Sequence, residues 1–81
     1  MTNARLKTDA RTVFGRQVRI CRLNAGLTQD AVSEMCGIYR TYLSRIENGT
    51  ANPTIFLMAA LADTLHIDLC ELFLSPPSDT L

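Results

Sequence analysis

The sequence has no tryptophan, a single histidine, three prolines, and three cysteines that never form a CxxC pair. Cys21, Cys36 and Cys70 are odd in number and widely spaced, which argues against a disulfide framework or a paired-cysteine zinc site. Each falls where a helix would turn its apolar side inward, so core filling is expected of all three. His66 has no cysteine or carboxylate at metal-ligand spacing, and it is read as structural. Few prolines and an apolar fraction of 47% exclude a disordered chain. The longest apolar run, Ile55 to Ala62, is far short of the ~20 residues that cross a bilayer. The start, MTNARLKTD, lacks the apolar segment of a secretory signal, so a soluble cytoplasmic protein is expected. Nothing resembles a nucleophile–histidine pair, a phosphate loop, a cofactor motif or a small-molecule site, so an enzyme is not expected.

Basic residues are missing from the rear of the chain. All eight (Arg5, Lys7, Arg11, Arg16, Arg19, Arg22, Arg40, Arg45) precede residue 46, where they face four acids, a net +4 for residues 1–49. Residues 50–81 carry Asp63, Asp68, Glu71 and Asp79 and no base, a net −4. Such a molecule can hold a polyanion at one end and keep the other for a different task. With 81 residues the chain is expected to be one domain near the lower size limit for a self-supporting core, with flexible ends at about 1–8 and 75–81.

What is present is helical periodicity. Val13, Phe14, Val18, Cys21 and Ala25 recur at three- and four-residue steps, an apolar stripe on a helix over about 9–24, and Gly26 follows as a stop. Thr28 is a good N-cap for a second helix over 28–36, where Val32 and Cys36 face inward and Gly37 ends the run. A third helix over 40–48 buries Leu43 and Ile46 and stops at Asn48-Gly49. Asn52-Pro53-Thr54 opens a fourth over 54–65, and Asp68 caps a last one over 68–74. The expected fold is all-α, with five helices. Helices 28–36 and 40–48, joined by a tight glycine turn, form a candidate helix-turn-helix.

Residues 22–73 resemble the lambda-repressor-like (Xre) family of DNA-binding domains along nearly their whole length. The matching landmarks are Arg22, Gly26-Leu27-Thr28-Gln29, Gly37, Ile46-Glu47-Asn48-Gly49, Asn52-Pro53-Thr54, Leu61-Ala62 and Leu65. Within that family, RTYLS and the short length look most like the controller proteins of restriction-modification systems. The resemblance implies that the third helix enters the major groove with Arg40, Thr41, Ser44 and Arg45 at base edges. Helical spacing independently sets these four on one side, opposite Leu43 and Ile46. A merely solvated face would normally carry acids, and this helix has none before Glu47. Arg40 suits the O6 and N7 of guanine, and Thr41 a thymine methyl.

Phosphate contacts are expected from Thr28 and Gln29 at the second helix's amino end, and from Arg19 on the polar side of the first. Asn48 and Tyr42 match family positions that touch the backbone. The resemblance also pairs Arg22 with Glu47 in a partly buried salt bridge. The sequence departs from the family at Tyr39, a poor N-cap; at His66, where a glycine is common; and after Gly49, where a lysine or arginine is usual.

The fourth helix is apolar almost all round, so one side must be covered. A twofold dimer through the fourth and fifth helices is expected, with Phe56, Ala60 and Phe73 in contact. It would set two recognition helices ~34 Å apart on a near-palindromic double-stranded operator. With no ligand site, operator occupancy would respond to protein concentration, as in an autoregulatory controller. The competing expectation is an antitoxin or protein-interaction module that uses the fourth helix and the SPPSDTL tail.

Overall fold

The computed structural model describes residues 9–74; the flexible ends expected at 1–8 and 75–81 lie outside the described residues. Four α-helices, α1 (Ala10–Asn24), α2 (Gln29–Cys36), α3 (Arg40–Glu47) and α4 (Ile55–Thr64), are followed by a 3₁₀ helix, Leu69–Phe73. The helix-turn-helix is α2, the turn Gly37–Tyr39, and α3. No helix among the described residues is long and apolar enough to cross a membrane.

Local chemistry explains most boundaries. Asp9 caps α1: its Oδ1 accepts from the Arg11 amide at 2.9 Å, and its Oδ2 from Arg11 Nη2 at 2.7 Å. The Arg11 side chain, then its amide, hold the Asp9 carboxyl down at about 2. Thr28 Oγ1 accepts from Ala31 N at 3.0 Å, and Thr54 Oγ1 from Leu57 N at 3.1 Å. Gly37, with φ of 72°, ends α2 in the left-handed region that glycine enters without penalty. Tyr39 makes no side-chain cap bond to α3, in keeping with its chemistry. His66 does adopt a left-handed φ of 59°, a conformation that costs a residue with a Cβ about 1 kcal/mol.

Phe14, Val18, Val32, Leu43, Ile46, Leu61 and Leu72 form the core. α1 packs on α3 and on the 3₁₀ helix, while α2 packs on α3 and α4. Gly15 permits the first of these contacts. A Cβ built there would stand 2.0 Å from the Ile46 carbonyl oxygen and 3.0 Å from that of Glu47, so only glycine lets the backbones approach this closely.

The last helix differs from expectation. It is 3₁₀ rather than α, spans Leu69–Phe73 rather than 68–74, and Asp68 stands at its N-cap without a side-chain bond. Three residues per turn align positions i and i+3, so Leu69 and Leu72 turn inward while Cys70 and Phe73 turn outward. Cys70 is therefore exposed, not core; Cys21 and Cys36 are half-buried, and burial pushes the Cys21 thiol up. Ala25 likewise leaves the apolar stripe: it is the exposed C-cap of α1.

Candidate nucleic-acid interface

The interface begins with a charge inside the core. Phe14, Val18 and Arg22 follow one another at four-residue steps on the buried side of α1, so the apolar stripe ends in a guanidinium. A buried charge requires partners. Arg22 Nε donates to Glu47 Oε2 at 2.7 Å and Nη2 to Oε1 at 3.0 Å, a two-pronged pair with side chains only 9% and 1% exposed. Arg22 Nη1 also donates to the Leu27 carbonyl at 2.9 Å, and Gln29 Nε2 to Glu47 Oε1 at 3.1 Å. One network thus ties α1, the loop before α2, the start of α2 and the end of α3.

That network fixes which side of α3 faces out. Leu43, Ile46 and Glu47 are buried, whereas Arg40, Thr41 and Arg45 are exposed and Ser44 is half-buried. Four residues separate Thr41 from Arg45, so they share a helix side with Arg40 and Ser44. Arg19, Thr28, Gln29, Asp30 and Arg40 line an open cleft of about 730 Å³ between α1, α2 and α3. The first amides of α2 have no acceptor within the helix, and with Ala31 N held by Thr28 Oγ1 those of Gln29 and Asp30 present a partial positive charge.

Several side chains expected at the interface have partners within the chain. The Gln29 amide, expected on a phosphate, spends one N–H on Glu47; an amide nitrogen carries two, so one remains. Thr28 Oγ1 serves as the α2 cap. Tyr42 is half-buried against the core, with the Arg45 guanidinium 6.0 Å from its ring centroid. Arg45 Nη2 donates to the Thr50 carbonyl at 3.3 Å, steadying the loop after Gly49. Arg40 Nε lies 3.3 Å from Asp30 Oδ1. The acid-free appearance of α3 in sequence is therefore corrected in space, because α2 brings a carboxylate beside Arg40. From the sequence Asp30 is expected only to favour the positive first turn of α2, and neither its meeting with Arg40 nor the role of Gly15 is expected. A glycine in the middle of the α1 stripe was the available signal for the latter; nothing local marks the former.

Phe56, Ala60 and Phe73, expected in a dimer contact, are placed unequally. Phe56 is 86% exposed and its neighbour Ile55 72%. Phe73 is exposed on one side while its ring lies 5.3 Å from that of Phe14. Ala60 is half-buried, with its carbonyl 3.9 Å from Cys36 Sγ.

A family profile described as helix-turn-helix matches residues 18–72. An uncharacterised helix-turn-helix-type transcriptional regulator of Sinorhizobium fredii is 35% identical over 72 residues, covering 89% of this chain and 92% of the relative. The control protein C.BamHI of Bacillus amyloliquefaciens is 35% identical over 63 residues, covering 76% and 78% respectively. The crystal structure of the restriction-modification controller protein C.AhdI from Aeromonas hydrophila superposes with a TM-score of 0.75 at 32% identity, over 78% of this chain and 96% of that one.

Proposed function

The chain belongs to the helix-turn-helix family of DNA-binding, non-enzymatic transcriptional regulators, and from that premise we propose that it binds a near-palindromic operator as a twofold dimer and so controls its own synthesis. Arg40, Thr41, Ser44 and Arg45 read base edges, and Arg19, Thr28, Gln29, Tyr42 and Asn48 contact phosphates. The observation that carries this reading is the seating of α3: Glu47, paired with Arg22, and the apolar side face the core, while both of its arginines face out, Arg40 beside the first turn of α2. The contacts Arg40 and Arg45 make within the chain are exposed, and such contacts are worth ~0–1 kcal/mol, less than the ~1–3 kcal/mol of a good two-pronged guanine contact.

Dimerisation is supported by the outward apolar residues Ile55 and Phe56 of α4, Phe73 of the 3₁₀ helix and Leu74 just after it, in a region without a base. The likeness to the control protein C.BamHI and to the controller C.AhdI favours the autoregulatory role. Selection of bound sequences from a random duplex pool tests the proposal. Arg40→Ala should cost ~1–3 kcal/mol and relax one base pair per half-site. A uniform loss over all sequences would move Arg40 to the backbone. No binding to any duplex at low salt would instead favour the antitoxin or protein-interaction role. A monomer by sedimentation at micromolar concentration would remove the dimer.

A further inference from the structure

We propose that Asp30 is a specificity-determining residue that positions Arg40 for base reading and at the same time weakens binding to DNA of the wrong sequence. The inference rests on the reading of Arg40 given above. Asp30 and Arg40 are ten residues apart and meet across the Gly37–Tyr39 turn, with Arg40 Nε 3.3 Å from Asp30 Oδ1. Asp30 is the one ion-pair partner of Arg40 among the described residues.

Each side of the pair suits the role. Asp30 stands in the first turn of α2, and its carbonyl accepts from the buried Ser33 Oγ at 2.9 Å, so its main chain is anchored. Arg40 is the first residue of α3 and carries a long side chain with many rotamers. Their side chains are 81% and 55% exposed, so the pair adds little to folding. Its value lies in orientation. A carboxylate 3.3 Å from Nε draws the guanidinium toward α2 by charge and leaves the Nη1–Nη2 edge free for the two acceptors of guanine. A side chain already held in its bound direction loses less freedom on binding.

The charge has a second effect. Asp30 lines the same cleft as Arg19, Thr28 and Gln29, the groups offered to phosphate. A negative group there opposes the polyanion whatever its sequence, while the Arg40 contact repays only at the right base pair. Asp30 thereby lowers affinity in general and raises discrimination.

The test uses the full chain with the duplex selected from the random pool, the same duplex altered at the base pair relaxed by Arg40→Ala, and random DNA. Asp30→Asn should bind random DNA more tightly, an increase that fades with salt, yet lose at least about threefold in discrimination at that base pair alone. Asp30→Glu, which keeps the charge, should retain more discrimination than Asp30→Asn. In an Arg40→Ala background, Asp30→Asn should leave discrimination unchanged. If Arg40→Ala relaxes the base pair and Asp30→Asn shifts only the melting temperature, Asp30 merely complements the α2 dipole and the inference is overturned while the base reading stands. If Arg40→Ala relaxes no base pair, the base reading itself fails and the role of Asp30 falls with it.

Discussion

α3 and α4 are short neighbouring helices of eight and ten residues that divide their sides in opposite ways. α3 separates chemistry: Leu43, Ile46 and Glu47, ion-paired with Arg22, go in, and Arg40, Thr41 and Arg45 go out. α4 separates nothing by residue type. Leu61 and Ala62 are buried, yet Ile55 and Phe56 on the same unbroken apolar run are among the most exposed large side chains. The contrast lies in the outward surfaces: polar and cationic on α3, apolar at the start of α4, so the proposed DNA contact and the proposed dimer contact call on opposite chemistries.

The sharpest way to break the α3 side of this contrast is to remove its anchor. Glu47→Ala strands the Arg22 charge in the core and should destabilise by ~3–5 kcal/mol. Both the thermal midpoint and DNA binding should fall, and lost binding at an unchanged midpoint would show that the pair does not seat α3. Gly15→Ala comes next. Its new Cβ would strike the Ile46 carbonyl, so α1 and α3 must separate, at ~1–3 kcal/mol by denaturant unfolding. A full-stability variant would mean that the two helices slide apart without cost.

Smaller changes sharpen the α4 side. His66→Gly removes a Cβ from a left-handed residue and should stabilise by about 1 kcal/mol, read as a raised thermal midpoint. A lowered midpoint would show that His66 makes contacts worth more than its strain. The smallest folding effect is expected of Phe56→Ser, within about 0.5 kcal/mol at dilution, because the ring touches little of its own domain. The same variant should sediment as a monomer where the parent is a dimer; an unchanged dimer would clear Phe56 of that surface.

Most of the α3 pattern was legible because Leu43 and Ile46 are apolar and the outward residues are not, so a period of 3.6 sorts them; inward Glu47 followed only from the family resemblance. In α4 that period has nothing to sort, so residue type alone does not separate half-buried Ala60, whose carbonyl lies near Cys36, from exposed Phe56. Cys70 was misplaced for a related reason: an α-helical period was applied to residues that wind three to the turn. Gln29 and Asp30 show the limit of motif matching. Their neighbours Glu47 and Arg40 are 18 and 10 residues away, and each claims a side chain that local sequence offers to DNA or to solvent.

By itself, the sequence determined the four α-helices, the cap at Thr28, the break at Asn52-Pro53-Thr54, the stop at Gly37 and most inward apolar positions, since all of these follow from backbone preferences and spacing within a few residues. Only the tertiary structure decided the inward hold on Gln29, the close crossing at Gly15, the outward turn of Cys70 and the meeting of Asp30 with Arg40. Those depend on distances between segments remote along the chain, set when the whole core closes.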